Sequence, residues 1–228
     1  MNDLQRTPEW HLARRGKMTA SECHLLLQRG RGKGDTFSQT CLKWLERKIA
    51  EYYMTESSYL EFVELGTAGR AAEWGSTFED DARMAYCDKT GTEVDDAPFI
   101  PLEGRENFAG GSPDGLADGG IIEIKCPFSP ETHLRHCLYG TPEDLKADNP
   151  QYYAQCQMNM LCVSGTGREC SWCDFVSYDP RISLSRQLSV LRVPFDGEFC
   201  KELEERIALA VDFYRERMAA IDSAPPVR

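Results

Sequence analysis

Gly111-Ser-Pro-Asp114-Gly-Leu-Ala-Asp-Gly-Gly-Ile-Ile-Glu123-Ile-Lys125 is the most informative stretch of the chain. Pro-Asp-Gly and Asp-Gly-Gly are turn sequences, and Ile121–Lys125 alternates β-branched with charged residues as a strand does. Side chains along a strand alternate faces, so Glu123 and Lys125 share one side of the sheet while Ile122, Ile124 and Cys126 take the other. Asp114, one strand-turn earlier, reaches the polar side. Two carboxylates converging there make a hard oxygen site of the kind Mg²⁺ prefers, with an ammonium beside it. That combination suits phosphodiester hydrolysis: a metal neutralises developing charge and acidifies water, and a nearby cation orients the water or stabilises the transition state. The same letters also describe an ordinary type I turn followed by an edge strand, so the surroundings must choose between catalysis and structure.

Working outward, Glu93–Pro101 and Asn107–Gly111 read as extended and, with Ile121–Lys125, as a β-meander. Before them, residues 71–89 place Trp74, Phe78, Ala82 and Ala85 at helical spacing, and Gly91 ends the run. Further upstream, Thr19-Ala-Ser-Glu22 has the capping-box form and opens a short helix that ends by Gly30; Thr36-Phe-Ser-Gln39 opens a longer one with Phe37, Leu42, Leu45 and Ile49 on one side. Glu61–Gly69 is an acidic, glycine-punctuated connection. Downstream, Glu131–Cys137 reads as a helical turn, Pro150–Val163 as an apolar-faced helix, Glu169–Tyr178 and about Leu188–Val193 as strands, and Gly197–Ile221 as a helix with Phe199, Leu203, Ile207, Val211, Tyr214 and Met218 in one stripe.

The 228 residues, 41% hydrophobic and 28% charged, exclude disordered, collagenous and coiled-coil classes. No internal repeat divides them, and a single unit over residues 1–222 with a flexible tail at 223–228 is expected. Ten cysteines without an apolar leader, several inside apolar runs such as Cys156 and Cys162, read as free thiols in a reducing cytosol. Cys170-Ser-Trp-Cys173 lacks the second pair of a zinc site. No run approaches the ~18 apolar residues of a membrane span. A net charge of -11 and a pI near 4.9 disfavour nucleic acid at first sight. Residues 11–34, however, hold six Lys and Arg (14, 15, 17, 29, 31, 33) against Glu22, a local +5 that leaves -16 on the remainder. The acidic balance therefore does not exclude nucleic acid; it indicates that one face must do the binding.

Asp114, a gap of eight residues and Glu123-Ile-Lys125 resemble the PD-(D/E)XK nuclease signature, and the order of elements matches that fold's αβββαβ core, a mixed central sheet flanked by helices. Within that superfamily the chain resembles the phage lambda exonuclease type of viral recombination nuclease, the YqaJ-like family, over nearly its whole length. The matching strings are Trp10-His-Leu-Ala-Arg14-Arg-Gly-Lys-Met-Thr19-Ala-Ser21-Glu, Trp74-Gly-Ser-Thr-Phe-Glu79-Asp-Asp-Ala-Arg83, Ser112-Pro-Asp114-Gly, Glu123-Ile-Lys125-Cys-Pro-Phe128, Ala154-Gln155-Cys-Gln157 and Tyr178-Asp-Pro-Arg181.

The resemblance implies a Mg²⁺-dependent enzyme, with two ions and Mn²⁺ as a substitute, that degrades one strand of double-stranded DNA 5′ to 3′ to mononucleotides. It further implies a ring-shaped homotrimer, a single-strand annealing protein as partner, and a phage or prophage origin with action in the bacterial cytosol. Asp114, Glu123 and the carbonyl of Ile124 would ligate metal, and Glu79 would add a carboxylate. Lys125 would position the attacking water, and Gln157, with Gln155 second to it, would orient that lysine. Arg14, Thr19, Ser21 and Ser112 would hold the 5′-phosphate, a role that suits a guanidinium and hydroxyls. Arg29, Arg31 and Lys33 in a basic loop, with Arg70, would grip the duplex. Plainer roles exist for several of these: Glu79 as a solvated helix residue beside Asp80 and Asp81, Thr19 and Ser21 as helix caps, the basic loop as a solvated hairpin. Where the family carries a large apolar wedge before the helix of its metal glutamate, residues 66–72 here hold only small side chains besides Arg70. Two other functions share the pattern: an endonuclease of restriction or junction-resolving type, and a DNA- or partner-binding module that does not cleave. The joint presence of Asp114, Glu123 and Lys125 argues against the latter, because a carboxylate pair without metal repels phosphate.

Overall fold

In the computed structural model, which describes residues 4–32, 34–67 and 69–225, the chain runs in order through α1 (Pro8–Arg14), β1 (Met18–Thr19), a 3₁₀ helix (Ala20–Leu27), α2 (Gln39–Tyr53), α3 (Glu56–Thr67), α4 (Arg70–Thr90), β2 (Ile100–Pro101), β3 (Ala109–Gly111), β4 (Gly115–Ala117), β5 (Gly120–Lys125), α5 (Pro130–His136), α6 (Pro142–Asp148), α7 (Pro150–Ser164), β6 (Trp172–Tyr178), β7 (Leu188–Pro194) and α8 (Gly197–Asp222). This is the mixed α/β, PD-(D/E)XK-type architecture. A four-stranded sheet has the order β4-β5-β6-β7, in which β5 and β6 are parallel and the outer pairs antiparallel. A parallel pair needs a long crossover, and α5, α6 and α7 supply it.

β5 is buried on both faces. Ile122 and Ile124 meet Ala82 and Tyr86 of α4, together with Val176 and Tyr178 of β6. On the opposite face Ile121, Cys173 and Phe175 join the main core with α7, α8 and the 3₁₀ helix. α7 is enclosed over most of its length, so Gln155, Gln157 and Asn159 are buried polar groups that need partners. None of the helices among the described residues is long and apolar enough to cross a membrane.

Three expectations are corrected. The β-meander is divided between two sheets: β3 pairs with β1 in parallel and with β2 antiparallel, while β4 and β5 form a separate hairpin. The turn at Ser112–Asp114 thus carries the chain from one sheet to the other, a change that no alternation pattern encodes. Neither proposed capping box forms. Thr19 makes no cap bond, its hydroxyl facing Ser21 Oγ at 3.2 Å, and α2 is capped by Ser38, two residues beyond Thr36, through the Cys41 N–H. Residues 56–67 are helical, since Tyr59 buries itself beside α1 despite Gly66 in the last turn. The ends of α4 and α8 lie within a residue or so of expectation, with Gly91 at φ +70° closing α4.

Candidate active site

β4 and β5 bring the signature residues together. The Asp114 carboxylate accepts the Ile124 N–H at 2.6 Å, which ties the turn before β4 to the far end of β5. Lys125 donates to Glu123 Oε1 at 2.6 Å, as expected for side chains on one strand face. Arg83 of α4 donates to the Asp114 carbonyl and pairs with Asp96 at 3.3 Å. Asp114, Glu123, Ile124 and Lys125 line a small cleft of about 170 Å³. Glu79 of α4 reaches the same cleft and pairs with Arg6.

The electrostatics are those of crowded carboxylates out of water. Burial, then the charge of Asp114, raises the Glu79 pKa to about 7. Burial, then Glu123, raises Asp114 to about 7, against the pull of Lys125 and the Ile124 N–H. Glu123 is also raised by burial, opposed by Lys125. Burial works against the Lys125 ammonium, but Glu123 and Asp114 hold its pKa above the usual lysine value. Lys125 is therefore an ammonium in this pocket, a donor and counter-charge.

Among the described residues no three His, Cys, Asp or Glu side chains form a ready-made metal cage. Asp114 and Glu123, with the Ile124 carbonyl, still fit a hard divalent ion, which takes one or two carboxylates and otherwise water and phosphate. Burial first, and mutual repulsion second, raises the Asp114 and Glu79 pKa values, a strain that such an ion would relieve, and Glu79 faces the same cleft.

The opposite wall centres on an arginine. Arg14, at the end of α1, lies 4.1 Å above the Trp10 ring and donates to Ser112 Oγ at 3.0 Å, and Trp10 Nε1 donates to the same oxygen at 3.1 Å. Ser21 and the start of the 3₁₀ helix complete this wall, and Thr19 backs it through Ser21. Burial pulls the Arg14 pKa down from the usual arginine value, against the field of surrounding acids.

α7 changes one assignment. Gln155, not Gln157, accepts from Lys125, at 3.2 Å. Gln157 faces away: its amide donates to the Pro194 carbonyl and accepts the Asp196 N–H, fixing the β7–α8 junction. Two residues on a helix differ by about 200° in direction, so the two glutamines cannot share a target. Asn159 was not anticipated. From one turn further on it donates to Glu123 Oε2 at 2.9 Å, and Gly111 leaves the space, because a Cβ there would come within 2.3 Å of the Asn159 amide oxygen. The available signal was a polar residue, two positions beyond Gln157, within the apolar run Met158–Val163.

The basic loop is not part of the cleft. It folds around Asp35, which accepts the Gly32 N–H, while Arg29 approaches Glu202 of α8 at 3.8 Å. Arg31 and Arg70 are exposed, and Lys33 lies outside the described residues. The ten cysteines are unpaired.

A carboxylate pair, a lysine two positions further along the strand and an arginine-serine wall on a mixed sheet define a nuclease of PD-(D/E)XK type. A sequence profile of the YqaJ-like viral recombinase domain matches residues 9–169, and the chain belongs to that family. No curated protein matches it. Among solved structures it is similar to the alkaline exonuclease LHK-Exo from Laribacter hongkongensis, at 29% identity and a TM-score of 0.73 over 95% of this chain and 96% of that one. The same enzyme in complex with dAMP gives 29% and 0.72 over 94% and 96%. A phage-related exonuclease from Haemophilus somnus shares the fold, at 16% identity and a TM-score of 0.66 over 90% of this chain and 96% of that one.

Proposed function

We propose that the protein is a Mg²⁺-dependent exonuclease that degrades one strand of duplex DNA from a 5′-phosphorylated end to mononucleotides, leaving a 3′ overhang for recombination by strand annealing. The observation that carries this reading is the placement of the Arg14–Ser112 wall against Glu79, Asp114, Glu123 and Lys125 within one small cleft. A fixed anion site beside the hydrolytic groups suits a terminal phosphate, whose monoester carries up to about two charges. An enzyme cutting within a strand has no use for it.

In this reading Arg14, Ser112 and Ser21 bind the 5′-phosphate and set the register of the strand. Lys125, oriented by Gln155 and Glu123, presents its ammonium to the scissile phosphate. Asn159 holds Glu123 in place. Metal held by Asp114, Glu123 and the Ile124 carbonyl, with Glu79 toward a second ion, would supply charge neutralisation and acidified water. Membership of a viral recombinase family supports the further reading of a homotrimeric ring around the duplex, an annealing protein as partner, and action in the host cytosol. Residues 1–222 then act as one nuclease unit with a short tail.

Purified protein with 5′-phosphorylated, end-labelled duplex and Mg²⁺ is expected to release mononucleotides, and Lys125→Ala to lower the rate by about 10²-fold or more. Equal activity of the variant, or cleavage of covalently closed circles, would sink the assignment, the latter in favour of an endonuclease.

A further inference from the structure

A second cavity, of about 690 Å³, opens elsewhere on the surface between the end of α1, α2 and α8. Arg14 and Arg15 are neighbours in sequence, but Arg14 lines the carboxylate cleft and Arg15 lines this cavity, together with Lys17 and Arg215. Among the described residues no carboxylate lies within ion-pair distance of Arg15 or Lys17; the Lys17 ammonium rests 5.2 Å from the Phe99 ring, and burial pushes its pKa below the usual lysine value. Arg215 has one exposed partner on its own helix, Asp212 at 3.9 Å. The single acid of the lining, Asp222, is engaged by the Tyr53 hydroxyl at 2.7 Å.

Aromatic faces accompany these cations. Phe108 stands edge-on to Tyr214 with the Arg215 guanidinium 5.5 Å from its ring, and the ring of Tyr52 is half-exposed at the other side. The wall between them is fixed: Tyr214 donates to the Gly16 carbonyl at 3.1 Å, and Gly16 sits at φ +70° with room for no Cβ, since one would lie 2.9 Å from Tyr52 Cβ. Asn107 brings an amide to the rim. Cations beside aromatic surfaces in a cavity of ligand size, Arg15 and Lys17 among them without an acid partner, are what an anionic planar group requires.

We propose that this cavity is a nucleotide-binding site, with the phosphate held by Arg15, Lys17 and Arg215 and the base stacked on Phe108 or Tyr52. The same chemistry is offered by a free 5′-mononucleotide and by one unit of a single strand. The site uses no residue of the carboxylate cleft, so it stands or falls independently of the cleavage reading.

The test uses the full chain in EDTA with a single-stranded dodecamer that carries 5-iodo-2′-deoxyuridine and a 5′-hydroxyl end. Irradiation and peptide mapping are expected to find adducts on Phe108 or Tyr52. Fluorescence anisotropy is expected to show affinity lowered about tenfold in Arg15→Glu/Lys17→Glu and severalfold in Arg215→Glu, the latter an exposed position whose change leaves the fold intact. Loss of the adducts on addition of dAMP supports the site and identifies the mononucleotide as a ligand; adducts that resist dAMP support it as a strand site. Adducts confined to other residues, or affinity unchanged by Arg215→Glu, would overturn the proposal.

Discussion

Asn159 supports Glu123 from the middle of α7 while its own carbonyl oxygen has no partner, so its one structural task is the 2.9 Å bond to that carboxylate. Hydrogen bonds to charged groups contribute about 1.5–3 kcal/mol, and their loss leaves the charge buried and unsatisfied. Asn159→Ala is expected to lower stability in urea by about that much and to reduce kcat about tenfold with KM for duplex nearly constant. A kcat equal to that of the wild type would remove Asn159 from the site. The two neighbouring glutamines separate in the opposite way. Gln155→Ala takes a contact from Lys125 and should reduce activity with little change in melting temperature. Gln157→Ala unties Pro194 and Asp196 and should cost about 1–2 kcal/mol of stability, with kcat retained in the folded fraction. Identical profiles for the two variants would contradict the assignment.

At the level of elements, α5 packs two buried histidines against β6, and both His133 and His136 meet Ser177 Oγ through Nδ1, at 3.0 and 2.9 Å. Ser177 is the register partner of Lys125, so this pair lies directly behind the strand that carries the site. Burial, then the neighbouring His133, lowers the His136 pKa from 6.5 to about 4. An unfolded chain binds this proton below about pH 6.5 and the folded one does not until about pH 4, so the contribution is complete at neutral pH and is lost as pH falls through that window. Between pH 7.5 and 5 the loss is about 2 kcal/mol. Urea titrations of wild type and His136→Asn should therefore converge by about that amount on acidification; parallel curves would exclude it. Elements also mark the limit of local reading. Ser38 rather than Thr36 caps α2, because the Thr36 carbonyl is taken by Arg206 of α8, a partner 170 residues away. Helix α3 is stabilised by contact with α1 rather than by its own acidic, glycine-containing sequence.

For the whole molecule, the charge of -11 coexists with a +5 segment at residues 11–34, and the two halves of that segment have different places. Arg14, Arg15 and Lys17 line cavities, while the loop with Arg29 and Arg31 is solvent-facing. If the loop grips duplex phosphates, each lost contact lowers the slope of log affinity against log salt by about one. Arg29→Ala/Arg31→Ala should thus weaken duplex binding and reduce the slope by about two, with cleavage of bound ends retained; an unchanged slope would remove the loop from the interface. Asp114, Glu123 and Lys125 were legible as one polar face because turn chemistry and the two-residue period of a strand are local properties, and the long helices α2, α4, α7 and α8 were legible in hydrophobic periodicity. Membership of a nuclease family was legible for the same reason, in motifs whose spacing survives in the linear chain. The facing of Gln155 to Lys125, of Asn159 to Glu123 and of Arg15 away from Arg14 was not. Those depend on the rotation of α7 and α1 against the sheets, which is set by packing among residues far apart in the chain, and no local pattern of letters carries that angle.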